Sequence, residues 1–191
     1  MAKVALSSTT NSNNSTVSEL TVGIAGSSSG DLLVVYLESS DVNSVFQQKS
    51  GTTGWTKRMN TPYVYGDRSF ALFTKTAGAS ETAPTFEEAS ARSGYMTAVY
   101  TVVENADTSS PVIAYTEDRS DVGNHFNLPT VDTTGDDDAL ILAFCGADSY
   151  SRALSFCLLL TITHQALKIV MLLLQAGFTN RMEVQLLHLK Y

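Results

Sequence analysis

The chain has 191 residues, a formal net charge of −7 and a pI of about 4.8. This length is typical of one domain with a small addition, and 43% apolar residues are enough for a buried core, so a multidomain machine and a disordered chain are excluded. An acidic surface repels phosphate backbones, and we expect no nucleic-acid partner. The chain has two cysteines, Cys145 and Cys157, which are too few for a disulfide scaffold. Their spacing is not that of metal ligands.

Composition divides the chain at residue 151. Residues 1–151 contain 18 of the 19 acidic residues, whereas residues 152–191 contain 11 of the 20 leucines. The start of the chain lacks the apolar run of an export signal, and its stretch 7–18 is rich in Ser, Thr and Asn. Such an arm is either disordered or ordered on a neighbouring subunit. We predict a polar N-terminal arm over 1–18, a β-sandwich domain over 19–151 and a hydrophobic C-terminal segment over 152–191.

The first 151 residues predict an all-β fold. Their apolar residues occur in short β-branched or aromatic runs between clusters of Gly, Ser, Asn, Asp and Pro. The predicted strands lie at 19–25, 31–38, 69–76, 95–104, 111–116 and 138–145. Strands with this turn-rich spacing are typical of an antiparallel β-sandwich or a jelly roll.

Two of the predicted strands follow a Gly-Asp pair. Gly30-Asp31 precedes Leu-Leu-Val-Val-Tyr, and Gly135-Asp136 lies just before the apolar run Ala139–Phe144. Neither run alternates between apolar and polar residues, which predicts central strands with both faces covered. The two segments also form a weak internal echo that favours the sandwich; the alternative is that any two buried strands after Gly-Asp turns look alike.

Residues 153–176 form a long apolar stretch that a helix ended by Gly177 would explain. His164, Gln165 and Lys168 interrupt it, and one central charge costs about 2.5–3.5 kcal/mol on membrane insertion, so we predict no membrane span. The stretch is then a helix buried against the sandwich or a partner. A second hypothesis is a shifted reading frame, which intact mass and sequencing of the coding DNA would test.

A serine motif raises the question of catalysis. Gly26-Ser-Ser28-Ser-Gly30 matches the G-x-S-x-G pattern, and His125 is the only histidine before residue 151 that could act as its base. A nucleophile elbow needs a helix after the serine, but an apolar strand follows. We therefore expect a hairpin connection, no catalytic residue, no cofactor and no enzymatic activity.

Acidic residues give weaker signals. Asp136-Asp-Asp138 lacks the alternating spacing of a calcium loop, and we interpret it as a solvated strand entry rather than a metal site. Glu87 and Glu88 do not form a carboxylate pair for glycoside hydrolysis, because adjacent residues of a strand point to opposite faces. The sequence thus predicts no metal site.

Trp55, the only tryptophan, is followed closely by Tyr63 and Tyr65. Aromatic faces displayed on a loop can stack on sugar rings, so these three residues form a candidate glycan-binding platform. The alternative, which we favour because large aromatic side chains are mostly buried, places Trp55 in the core of the sandwich.

Several motifs follow one another along the chain: Gly30-Asp-Leu-Leu-Val-Val-Tyr, Gly54-Trp-Thr, Phe70-Ala-Leu-Phe-Thr-Lys-Thr-Ala-Gly-Ala-Ser-Glu, Ala98-Val-Tyr-Thr-Val-Val-Glu-Asn-Ala-Asp-Thr-Ser-Ser-Pro-Val and Asp138-Ala-Leu-Ile-Leu-Ala-Phe. Over about residues 19–150 this order resembles a β-sandwich domain that recurs in structural proteins of tailed bacteriophages. Such proteins are head decoration, tail and fibre components, so the resemblance implies a virion part without catalytic residues to transfer. The family pattern continues with a turn-rich β segment, from which residues 152–191 depart.

We therefore expect a non-enzymatic virion protein, most of all a capsid decoration (cement) protein that stabilises the head shell. Its partners would be the major capsid protein or other virion proteins, and copies of itself, with a trimer as one candidate. Residues 7–18 would contact other subunits and residues 153–176 would dock, without membrane or nucleic acid. The alternative is a tail-associated receptor- or glycan-binding module that uses Trp55, Tyr63 and Tyr65.

Overall fold

A computed structural model of the chain describes residues 9–12, 17–24, 26–41, 43–62, 69–89, 94–107, 112–120, 138–147, 154–163, 166–170 and 182–190. The strands are β1 Thr9–Ser12, β2 Glu19–Thr21, β3 Leu32–Ser39, β4 Phe46–Gln48, β5 Thr56–Pro62, β6 Ser69–Thr76, β7 Thr85–Glu88, β8 Met96–Val103, β9 Val112–Ser120, β10 Asp138–Ala147, β11 Leu154–Thr163, β12 Ala166–Val170 and β13 Met182–Lys190. These residues contain no helix, so none that could cross a membrane is found among them. The predicted all-β class is confirmed.

The chain divides into two compact units. The first comprises Met1–Asn105 with Ser151–Ala153, and the second comprises Ala106–Tyr150 with Leu154–Tyr191. The division follows β8, whereas composition predicts a boundary at residue 151. The composition changes between β10 and β11, which are paired neighbours in one sheet. The predicted domain boundary at residue 151 stays a prediction.

The first unit is an antiparallel β-sandwich. One sheet has five strands in the order β1-β8-β3-β6-β5, and the other has three strands in the order β2-β7-β4. Each pair of neighbouring strands runs antiparallel. The predicted antiparallel sandwich is therefore confirmed, while the jelly-roll connectivity stays a prediction.

The core of the first unit lies between these two sheets. Alternate residues of β3, Leu33, Val35 and Leu37, enter it from the larger sheet, and Phe46 and Phe86 enter it from the smaller one. All five side chains are fully buried. Burial of one such side chain contributes about 1.5–3 kcal/mol, so this apolar layer is the main stabilising element of the sandwich.

The two strands that follow Gly-Asp pairs are both central. β3 is the middle strand of the larger sheet, and β10 is the middle strand of the five-stranded sheet β12-β11-β10-β13-β9 of the second unit. Every residue of β3 is buried, so both of its faces are covered. The central position is thus confirmed for both strands, and the covered faces are confirmed for β3.

All six predicted strands occur, as β2, β3, β6, β8, β9 and β10, with ends that differ by at most four residues. In the first unit the sequence missed β1, β4, β5 and β7. These strands are short or polar: β4 and β7 each place one phenylalanine in the core, and β1 and β5 are edge strands of the larger sheet. Their conformation depends on the strand beside them rather than on an apolar run of their own.

The helix predicted over 153–176 is wrong, because the chain forms β11 and β12 there. β11 pairs with β10 along all ten of its residues, and β12 pairs with β11. Leucine favours helices, but a short apolar run is compatible with a buried helix or a buried strand, and pairing with neighbours decides between them. The shifted reading frame stays a hypothesis.

Part of the predicted arm is ordered on the chain's own sheet. Thr9–Ser12 form β1 and pair with β8, so these four residues are ordered on their own chain, while contact of the arm with another subunit stays a prediction. Val17, near the end of the predicted arm, is also attached to the first unit: its amide and carbonyl form hydrogen bonds with the carbonyl and amide of Gly94.

Candidate functional site

The Gly26–Gly30 loop forms a tight corner in front of β3. The Ser28 amide donates a 2.7 Å hydrogen bond to Asp31 Oδ2, and the Asp31 amide donates a 3.1 Å hydrogen bond to the Ser28 carbonyl. Gly30 has a φ of 95°, a conformation that glycine adopts without steric strain. The Gly-Asp pair therefore shapes a turn, with the Asp31 carboxylate as its internal acceptor.

This corner is not built as a nucleophile elbow. Ser28 is exposed, and the chain continues into a strand as expected, whereas an elbow requires a helix that lifts the serine over the sheet. The expected hairpin is wrong, since β2 and β3 lie in different sheets and the loop connects them. His125, the proposed base, lies outside the described residues.

A lysine–glutamate pair lies beside the corner. Lys75 Nζ is 2.7 Å from Glu81 Oε2, and the Gly78 amide donates a 2.6 Å hydrogen bond to Glu81 Oε1. Burial raises the pKa of Glu81, but the hydrogen bonds from Lys75 and Gly78 outweigh it and hold that pKa below its ordinary value of 4.5. Both oxygens of this carboxylate are thus engaged, and the group stays ionised at neutral pH.

Tyr100 of β8 is fully buried below these groups. Burial is the main reason that the pKa of Tyr100 rises to about 12; Ser27 lowers it, and the charges of Glu81 and Asp31 raise it further. A phenol with this pKa is neutral at physiological pH and is a poor base. Tyr100 therefore acts as a core side chain rather than as a proton acceptor.

Trp55 lies in the core and is only 7% exposed. Its ring packs edge-to-face on Phe86 and Tyr100, with centroid separations of 5.7 and 6.4 Å. The Gln48 side chain holds its backbone, donating a 2.8 Å hydrogen bond to the Trp55 carbonyl and accepting a 3.1 Å hydrogen bond from the Trp55 amide. The interpretation of Trp55 as a core residue is confirmed, and its ring offers no free face to a sugar.

The other two members of the candidate glycan platform, Tyr63 and Tyr65, lie outside the described residues. The structure therefore does not bring the three aromatic residues together in its described part. Binding of a glycan stays a prediction, and it now lacks the tryptophan on which its stacking argument depended.

A second polar group, the serine cluster of Ser39, Asp41, Ser44, Ser69 and Glu88, lies at the other end of β3. Ser39 Oγ donates a 2.7 Å hydrogen bond to Glu88 Oε1 and accepts one of 3.1 Å from the Asp41 amide. Ser69 Oγ accepts a 2.9 Å hydrogen bond from the Ser44 amide and donates one of 2.6 Å to the Asp41 carbonyl. These bonds fasten the loop after β3 to the end of the sandwich, which is a structural role.

Gly94 closes tightly over the serine cluster. A Cβ at this position would lie 2.6 Å from Ser39 Oγ and 3.1 Å from the Asp41 amide nitrogen. Contacts this short with a buried hydroxyl and a backbone atom leave no space for a larger side chain. The absence of a side chain at Gly94 thus allows its backbone, which pairs with Val17, to lie close to the serine cluster.

The two adjacent glutamates of β7 point in opposite directions, as predicted. Glu88 is buried and accepts from Ser39, whereas Glu87 is partly exposed and accepts a 2.8 Å hydrogen bond from Gln47 Nε2. They cannot flank one glycosidic bond. Among the described residues no cluster of three or more His, Cys, Asp or Glu side chains is arranged to hold a metal ion. Asp136 and Asp137 lie outside these residues.

The edge of the larger sheet carries the remaining candidate, which we call the arm ladder: the pairing of Thr9–Ser12 with Thr97–Tyr100. Thr9–Ser12 include neither an apolar nor a charged side chain, so the attachment of β1 to β8 relies on main-chain hydrogen bonds. All of β8 is buried, and without β1 the N–H and C=O groups on this edge would lack their ladder. Composition alone predicted an arm, but not its partner strand.

Most of the polar groups described above form hydrogen bonds or ion pairs with one another within the first unit. The arm ladder differs from them because it attaches the N-terminal segment Thr9–Ser12 to the edge of the larger sheet. Comparisons with protein-family models, curated proteins and solved structures find no match for this chain. Function must therefore be inferred from the residues and their geometry.

Proposed function

We propose that the chain is a non-enzymatic structural protein of a tailed-bacteriophage virion, most of all a capsid decoration protein that binds and stabilises the head shell. The arm ladder is the observation that carries this proposal. The edge of the larger sheet accepts an extended strand. Addition of a strand to a sheet edge is one way in which proteins bind each other, and it requires no chemical reaction. The resemblance of residues 19–150 to phage structural domains supports the same role.

The chemistry of the described polar groups also supports a structural role. Asp31 accepts from the Ser28 amide, Glu81 binds Lys75, and Glu88 accepts from Ser39. Each of these carboxylates is committed to a turn, an ion pair or a contact between the sheets. Their hydrogen bonds stabilise the sandwich rather than orient a substrate.

The charge of the chain suits a protein on the outside of a DNA-filled particle. A net charge of −7 keeps copies soluble and repels the phosphate backbone of packaged DNA. Attachment to the major capsid protein would then rely on apolar and main-chain contacts, and permanent interfaces of this kind commonly bury more than about 2,000 Å². We expect the chain to be incorporated into the virion after synthesis in the host cytoplasm.

Purified particles of the phage that encodes the chain provide the test. We expect the chain to co-sediment with them and to remain after a high-salt wash, because apolar and main-chain contacts are little screened by salt. Particles made without the gene should release their DNA at a lower temperature, and expression of the chain in trans should restore them. A chain that is absent from purified particles contradicts the proposal.

A further inference from the structure

We propose that the arm ladder also forms between copies, so that β1 of one chain pairs with β8 of a second copy of this chain. The inference rests on the proposed function, because a decoration protein is bound at many neighbouring sites of a shell. On such a shell, the β8 edge of one copy would lie close to the arm of the next copy. The occupant of this edge is thus the segment Thr9–Ser12 itself, supplied from a neighbour.

The backbone of β8 does not distinguish the arm of its own chain from the arm of a neighbouring copy. The paired residues of the arm are Thr, Thr, Asn and Ser, and their register places Thr9 opposite Tyr100 and Ser12 opposite Thr97. The same backbone hydrogen bonds form whichever copy supplies β1. Exchange of an identical element therefore conserves the native contacts and leaves a small free-energy difference between closed and exchanged forms.

The point at which the arm leaves its own body is defined by Val17. Its amide donates a 2.9 Å hydrogen bond to the Gly94 carbonyl, and the Gly94 amide donates one of 3.1 Å to the Val17 carbonyl. Leu20 and Val22, which follow, are in the core of the same sandwich. Only the chain before Val17 needs to cross to the neighbour, so exchange leaves the apolar core intact.

Length limits the distance over which the arm can cross. Ser12 and Val17 are five residues apart, which allows a span of at most about 17 Å in an extended chain. Exchange therefore requires two β8 edges to lie close together, as they would between adjacent copies on a shell. In dilute solution the chain's own arm has the higher effective concentration, and closed monomers should prevail.

The test uses the full-length variant Ser12→Cys/Thr97→Cys, which places two thiols at one rung of the ladder. Unlabelled and ¹⁵N-labelled chains are mixed in equal amounts in denaturant, refolded at increasing total concentration and oxidised. Mass spectrometry of the digest then identifies the disulfide-linked peptides that carry positions 12 and 97. A linked pair with one light and one heavy peptide arises only between two chains.

A matched control is Thr21→Cys/Thr85→Cys. Thr21 and Thr85 face each other between β2 and β7, with their hydroxyl oxygens 2.9 Å apart, and both lie after Val17 in the chain. Their disulfide should form within one chain at every concentration. If Ser12→Cys/Thr97→Cys does not fold, Thr10→Cys/Val99→Cys addresses the neighbouring rung.

We expect mixed-label pairs at positions 12 and 97 to increase with concentration towards roughly half of all linked pairs, the random limit when every ladder joins two chains. Mixed-label pairs that stay at the level of the control up to the highest concentration overturn the inference. Particle binding separates it from the proposed function. A chain locked by its internal disulfide that still decorates particles fully overturns strand exchange and leaves the decoration role intact.

Discussion

Ser39 and Glu88 join the two sheets of the sandwich through a 2.7 Å hydrogen bond from Ser39 Oγ to Glu88 Oε1. Ser39 is the last residue of β3 in the larger sheet, and Glu88 is the last residue of β7 in the smaller sheet. Both residues are buried. Because a buried carboxylate that loses a donor retains its full desolvation penalty, this bond aligns the ends of the two sheets more strongly than its modest net energy suggests.

Ser39→Ala should lower the free energy of unfolding by about 1–3 kcal/mol, because it removes a donor from the buried Glu88 carboxylate. Urea unfolding followed by circular dichroism measures this change. Ser80→Ala is the matched control, since Ser80 is exposed in a loop, and it should change stability by less than about 0.5 kcal/mol. Equal stability of the two variants would contradict a role for Ser39 in joining the sheets.

Gly94→Ala should destabilise the sandwich by about 1–3 kcal/mol, because the new Cβ would lie 2.6 Å from Ser39 Oγ. Gly26→Ala provides the comparison, since no atom lies within 4 Å of the position of its Cβ. That substitution should be neutral or slightly stabilising. Thermal unfolding of both variants measures the difference, and a Gly94→Ala protein as stable as Gly26→Ala would show that the end of the sandwich is less tightly packed than described.

Tyr100 should make the sandwich sensitive to alkaline pH. The pKa of Tyr100 is raised from 10.0 in an ordinary tyrosine to about 12 in the folded chain, mainly by burial. The stability that it contributes is complete below pH 10 and is lost as the pH rises towards 12, by up to about 2 kcal/mol, because the unfolded chain releases the phenolic proton first.

Tyr100→Phe lacks this group and serves as the test. Urea unfolding of both proteins at pH 8 and at pH 11 should show that the free energy of unfolding of the original chain falls more steeply with pH than that of the variant. Parallel decreases in the two proteins would mean that Tyr100 titrates in the folded chain like an exposed tyrosine.

The fluorescence of Trp55 reports directly on its environment, because the chain contains no other tryptophan. We expect a blue-shifted emission and weak quenching by iodide in the native chain, with a red shift on unfolding in urea. Trp55→Ala should reduce the free energy of unfolding by about 3–5 kcal/mol, as expected for loss of a buried ring. A native emission spectrum like that of free tryptophan would contradict the core position.

The candidate site could be predicted from the sequence only in part. Composition indicated the polar arm, and the Gly-Asp pair indicated the turn in which Asp31 accepts from the Ser28 amide, three residues away. The sequence does not predict the Ser39–Glu88 contact, because the two residues lie 49 positions apart. Serine and glutamate are also common on protein surfaces, so neither residue type indicates a buried contact. Nor could Ser and Thr residues before β2 reveal that they would pair with β8, because a polar main-chain ladder leaves no apolar pattern.

The amino-acid sequence by itself determined the all-β class of the first 151 residues and the apolar strands β3, β6 and β8, which supply the larger sheet's side of the core. The apolar runs of β3 and β10 have no polar face, so they are stable only in the middle of a sheet with both sides covered. Tertiary structure decided the state of β11 and β12, where the pairing of β11 with β10 and of β12 with β11 overrode the helix propensity of leucine. It also decided where the arm binds, because ladder hydrogen bonds depend on which edge is free and not on the side chains that the arm carries.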